Sequence, residues 1–165
     1  MQNLSSRPGD CHRSSFQIML KRLLTYFARP KLPEIPFRHP ELGTFDFVPG
    51  VGWGKTIDVD RRRVQLYLGS DGEMPNQSML ECLGYWISNW LTRRPEFNDY
   101  IDQECRSWPP HDIGPETNRL SLSSIEILWP KKPWSCMIYL TSDDDERQFH
   151  ITFDGRVPTG FAYDH

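Results

Sequence analysis

The sequence predicts an α+β domain: a largely antiparallel sheet of six to seven strands, ordered β-β-β-α-α-β-β-β(-β), with the helices packed on one face. Three observations lead there. Apolar and polar residues alternate between residues 44 and 68, and again between 120 and 163. In between, apolar residues recur at helical spacing. The strands are grouped before and after the helices instead of alternating with them, which separates α+β from a doubly wound parallel sheet.

The first strand, residues 44–48, places Phe45 and Phe47 on one face, and Pro49-Gly50 turns the chain. In the second, residues 53–59, Ile57 and Val59 alternate with Thr56 and Asp58. A turn at Asp60-Arg61-Arg62 leads into residues 63–68, with Val64, Leu66 and Leu68 inward. Short turns between alternating strands make an antiparallel meander. After a loop over 69–76, a helix over 77–93 carries Met79, Leu80, Leu83, Ile87, Trp90 and Leu91 as its apolar stripe. Arg93 and Arg94 then complement the dipole at its C-terminus. Pro95 opens a second helix, residues 95–107, with Phe97, Tyr100, Ile101 and Trp108 at helical spacing, and Pro109-Pro110 ends it. Residues 120–129, 134–141 and 148–153 read as strands, and 160–163 as a final edge strand.

Everything before residue 39 reads differently. Residues 1–15 are polar and lack an apolar period, which predicts disorder. Residues 16–28 suit a short amphipathic helix, with Phe16, Met19, Leu20, Leu23, Leu24 and Phe27 on one side. Lys21 and Arg22 interrupt it, and it is far too short to span a bilayer. No uninterrupted apolar stretch leads to a small-residue cleavage site, so it does not read as a secretory signal. Met19-Leu20-Lys21-Arg22 resembles an ordinary protein start, so residues 1–18 are expected to be an upstream extension. Residues 29–38 contain Pro30, Pro33 and Pro36, which favour an extended linker. The expected organisation is a basic leader over 1–38 and a single α+β domain over 39–165.

Charge follows the same division. Residues 1–38 hold seven basic and two acidic side chains, net +5, leaving twelve basic and twenty acidic beyond, net −8. An acidic body repels phosphate backbones, which argues against nucleic-acid binding by the domain. The aromatic share of 13% argues against wholesale disorder. Cys11, Cys82, Cys105 and Cys136 are far apart and form no C-x-x-C pair. They read as free thiols in a reducing cytoplasm, and no cysteine or histidine spacing suits a metal.

Candidate chemistry is sparse. Gly50-Val51-Gly52-Trp53-Gly54-Lys55-Thr56 has the look of a phosphate loop. That loop needs a glycine five positions before Gly54, where Pro49 stands, and a helix after Thr56, where a strand pattern follows. A glycine-rich turn between strands is the better reading. Asp143, Asp144, Asp145 and Glu146 lack the central glycine and distant glutamate of a calcium loop, and read as a solvated hairpin tip able to meet a basic partner. No nucleophile elbow occurs. His150 lies in a strand opposite Phe149 and Ile151, and His111 sits in a loop with no evident partner. Trp129 and Trp134 flank Lys131 and Lys132, and form either a packed cluster or an aromatic contact site. These eight residues, the two tryptophans, the two lysines and the acidic run, are the candidate partner surface. No catalytic, cofactor or metal residue is assigned.

In Leu42-Gly43-Thr44-Phe45, Gly52-Trp53 and the terminal Phe149-His150-Ile151-Thr152-Phe153-Asp154-Gly155, the layout resembles a group of small bacterial α+β domains of unknown function. Some of these have been suggested to act as immunity or accessory proteins in bacterial conflict systems. The resemblance spans roughly residues 39–164 and implies a binding role, without carrying over any functional residue.

The resulting expectation is a non-enzymatic cytoplasmic protein-binding module, immunity-like, that meets its partner through an acidic surface. One alternative is an enzyme whose site is assembled from sequence-distant residues. Another is a peripheral membrane protein that attaches through residues 16–29.

Overall fold

The computed structural model describes residues 36–70 and 74–164. The expectations for the polar segment, the amphipathic helix, the upstream extension and most of the proline-rich linker lie outside the described residues, as does Cys11.

Among the described residues, eight strands form one sheet in sequence order. The first four, β1 (Phe37–His39), β2 (Gly43–Val48), β3 (Gly52–Val59) and β4 (Arg62–Gly69), make an antiparallel meander. One helix, α1 (Gln77–Cys105), follows, then a 3₁₀ turn at Thr117–Arg119. A second meander comprises β5 (Ser121–Ile127), β6 (Ser135–Ser142), β7 (Asp145–Asp154) and β8 (Val157–Asp164). The halves join where β4 pairs with β5 in parallel. A parallel pair needs a crossover longer than a hairpin, and the segment containing α1 provides it.

This corrects the predicted fold twice. The sheet has eight strands, not six to seven, because Phe37–His39 pairs with β2 despite its proline-rich surroundings. One helix stands where two were expected, because the chain stays helical through Pro95. Met79 and Phe97 are eighteen residues apart, as are Leu83 and Ile101, and all four are buried. Eighteen residues make about five helical turns, so the apolar stripes on either side of Pro95 are in phase and one continuous helix buries both. Arg93 and Arg94 therefore lie mid-helix and not at a C-terminus. Arg93 pairs with Glu96 at 2.7 Å, and Arg94 donates to the Leu120 carbonyl at 2.6 Å. At the start, the Asn76 side chain accepts from the Ser78 amide at 2.8 Å, an N-cap.

Strand alternation sends Phe45, Trp53, Leu66, Ile125, Ile138 and Ile151 into a core shared with Met79, Leu83, Trp86 and Phe97 of α1. Trp86 is fully buried, its ring centroid 4.3 Å from that of Phe153. Asp60 and Arg61, at φ 50° and 65°, make the tight β3–β4 turn, whose left-handed backbone matches strand twist. Gly52, at φ 132°, leaves room for the Leu68 carbonyl, which a Cβ there would strike. The glycine-rich stretch is thus part of a hairpin. Lys55 donates to the Leu42 carbonyl and lies 5.8 Å from the Phe45 ring centroid, a structural role that has no use for phosphate.

Candidate functional site

The same alternation that fills the core determines what the opposite face of the sheet carries. Register places Asp46, Gly54, Tyr67, Glu126, Met137, Thr152 and Gly160 in one row across seven strands. The neighbouring row holds Gln65, Ser124, Tyr139, His150 and Ala162. The buried residues of α1 belong to the core on the other side, and no helix among the described residues packs on this face.

The middle of the face is nonetheless tightly filled. Ser124 is only 4% exposed, although no helix among the described residues packs above it. Its register partners on either side, Gln65 and Tyr139, are both larger. Beside it, burial pushes the Glu126 carboxyl above its ordinary value, and a 3.3 Å hydrogen bond from Ser124 opposes that shift. Burial likewise raises the Tyr139 hydroxyl, reinforced by the charges of Glu126 and Asp164. The His150 Nδ1 lies 3.5 Å from an Asp164 carboxylate oxygen, within ion-pair reach but without a hydrogen bond. Tyr67 leans over Gly54, where a Cβ would come within 3.3 Å of the ring.

At one end the face runs into an open groove of about 570 Å³, lined by Trp129, Lys132, Trp134, Met137, Thr152 and Asp154 among others. Two turns shape the β5–β6 loop that forms its wall, with the Lys132 amide bonded to the Trp129 carbonyl and the Ser135 amide to the Lys132 carbonyl. The two tryptophans differ. Trp134 is half-buried, and the Arg156 guanidinium lies over both its ring and that of Tyr85. Arg93 fixes the same hairpin by donating to the Arg156 carbonyl at 3.0 Å. Trp129 is 45% exposed and makes no ring or cation contact among the described residues.

Lys131 and Lys132 are exposed on the loop between the tryptophans. The acidic run lies elsewhere, at the β6–β7 turn. The eight-residue β6 separates it from Trp134, a distance of about 25 Å at the rise of an extended strand. The fold does not bring the two groups together. Most of the acidic charge is also already paired: Asp143 with Arg62 at 3.0 Å, Asp144 with Arg119 at 2.6 Å and Asp145 with Arg147 at 2.6 Å. The Arg62 hydrogen bond and then its charge hold the Asp143 carboxyl below its ordinary value. Glu146 is exposed and has no ion pair among the described residues.

Sequence reasoning passed over Tyr67, Glu126, Tyr139 and Asp154. Strand parity was the signal available, since each sits opposite an inward apolar neighbour. It does not give the parallel register of β4 on β5 that brings the two groups of strands side by side.

None of the three described cavities holds Glu126, Tyr139 or His150. A second groove of about 570 Å³, beside the N-terminal half of α1, includes His39, whose Nδ1 already accepts from the Glu41 and Leu42 amides. Cys82 and Cys136 are buried, and Cys105 is half-buried. No helix among the described residues is long and apolar enough to cross a membrane. Compared with known proteins, the chain matches no family model, no curated protein and no solved structure.

Proposed function

We propose that this chain is a non-enzymatic protein-binding module, of the immunity-like kind, that meets a basic partner across the uncovered face of its sheet. The supporting observation is an excess of acidic groups on that face, three of them without an ion pair among the described residues. Among residues held in strand register, the face presents Asp46, Asp58, Glu126, Asp154 and Asp164 against Arg38 and Arg63, five acidic groups to two basic. Asp46, Asp58 and Asp154 form no ion pair among the described residues, whereas Asp143, Asp144 and Asp145 each have an arginine.

Unpaired surface carboxylates steer a positively charged protein and repel nucleic-acid phosphates. An exposed tryptophan beside such a face suits the aromatic anchor on which interface energy concentrates. Catalysis would instead favour ionisable groups converging in a cleft, and none of the three described cavities holds Glu126, Tyr139 or His150.

Copurification of the full chain from its native host at low salt tests the reading. The expected result is a stoichiometric basic protein that is released as salt rises. Retention of no such protein would refute it.

A further inference from the structure

Two arginines within the domain are held by the same pair of groups, a carboxylate and an aromatic ring. The Arg93 guanidinium bonds Glu96 at 2.7 Å and lies 5.0 Å from the Phe97 ring centroid and 5.5 Å from that of Trp86. Arg147 bonds Asp145 at 2.6 Å and lies 4.9 Å from the ring centroids of both Phe149 and Tyr163. Guanidinium suits such a site because its plane stacks on a ring while its edge donates two hydrogen bonds.

The groove at the end of the open face has both groups, and among the described residues no cation contacts either of them. Trp129 supplies an exposed indole with no ring or cation contact, and Asp154 supplies a carboxylate with no ion pair, among the described residues. Met137 and the Thr152 and Thr159 side chains complete an apolar and hydroxyl-bearing wall. Trp134 does not compete for the role, because Arg156 already lies over its ring.

We infer that this groove receives an arginine side chain of the partner protein, the Trp129 indole stacking on the guanidinium while the Asp154 carboxylate pairs with its edge. This rests on the protein-binding reading and adds the chemistry of the contact. Asp154, one of the carboxylates of the face, lines the groove, so an arginine anchored there belongs to a basic surface already drawn to the sheet. Lys132 lines the same groove with a charge of the wrong sign for this ligand, and therefore gives the inference a directional test.

The test is a titration of the isotope-labelled full chain with the peptide acetyl-Gly-Arg-Gly-Arg-Gly-amide, followed by NMR. The Trp129 indole N–H and the Thr152 amide serve as reporters. Both are expected to shift saturably. Asp154→Asn should weaken binding by about tenfold, as should Trp129→Ala read at Thr152, and replacing both peptide arginines by lysine should weaken it several-fold. Lys132→Ala should tighten binding by about twofold to threefold. Unchanged binding in Asp154→Asn, equal binding of the lysine peptide, or weaker binding in Lys132→Ala would each overturn the inference. Trp129, Lys132 and Asp154 sit outside the buried core, and an unchanged spectrum away from the groove confirms that each variant is folded. If the copurified partner is retained equally by wild type and Asp154→Asn, the groove assignment falls and the protein-binding reading stands. If no partner is retained, that reading falls by its own test.

Discussion

Trp90 and Phe97, on opposite sides of Pro95, stack with ring centroids 5.4 Å apart and planes 23° from parallel. The contact spans two helical turns and would be lost if the chain broke at the proline. Proline at this position withdraws the amide that would bond the Leu91 carbonyl, and Leu91 is 53% exposed. Solvent can satisfy that carbonyl, which limits the cost. Pro95→Ala restores the helical bond but frees the unfolded chain, and should stabilise the domain by a net of about 1–2 kcal/mol in urea unfolding. A loss of stability would mean that the proline fixes a bend the packing needs.

The same contact shows where the sequence was legible. Alternation identified most strands, and the stripe from Met79 to Trp90 identified the first half of α1. By local preference alone, Pro95 belongs in the first turn of a helix. That local rule lost to a tertiary one, because Phe97 and Ile101 continue the buried stripe in phase. At the N-terminal edge, Pro36 and Pro40 masked the three residues of β1, whose edge position tolerates prolines on either side. At the candidate site, the exposure of Trp129 and the fixing of Trp134 depend on Arg156 and Tyr85, distant in sequence. The acidic run was visible, but its pairing with Arg62, Arg119 and Arg147 needed the fold.

Arg147 joins the Asp145 and Asp112 carboxylates, the Ile113 carbonyl and two aromatic rings, and is only 18% exposed. Its replacement by methionine leaves those acceptors without their donor, and should cost about 2–3 kcal/mol in urea unfolding. Asp143→Asn, which breaks the exposed pair with Arg62, should change stability by less than about 1 kcal/mol. Equal effects would show that Arg147 is no more embedded than the hairpin tip.

Glu126 gives a pH signature. Its carboxyl is raised in the folded state by burial, so folding favours the protonated form. The favourable contribution is complete below the unfolded carboxyl range and is lost as pH rises through the folded value. Glu126→Gln should therefore stabilise the domain at pH 7, by less than about 1 kcal/mol, and have little effect at pH 3. Unfolding curves at both pH values check it, and destabilisation at pH 7 would contradict the desolvation account.

The thiols divide by burial. Cys82 and Cys136 are 0% and 1% exposed, and Cys136 is pushed far up by its hydrogen bond with Cys82 and by burial. Cys105 is half-buried, and burial pushes it up to about 11. Native iodoacetamide treatment at pH 7.5 should leave Cys82 and Cys136 unmodified and label Cys105 slowly, whereas labelling in urea should reach all three. Peptide mass mapping reads the outcome, and rapid native labelling of Cys82 would show that the helix–sheet contact opens.

Binding of a basic protein by the open sheet face is the proposal on which the rest depends. It is tested most directly by copurification at low salt with two baits, wild type and the triple variant Asp46→Asn, Asp58→Asn, Asp154→Asn. A stoichiometric basic protein is expected on the wild type, depleted by about tenfold or more on the variant. Equal recovery on both baits, or no stoichiometric protein on either, would contradict it.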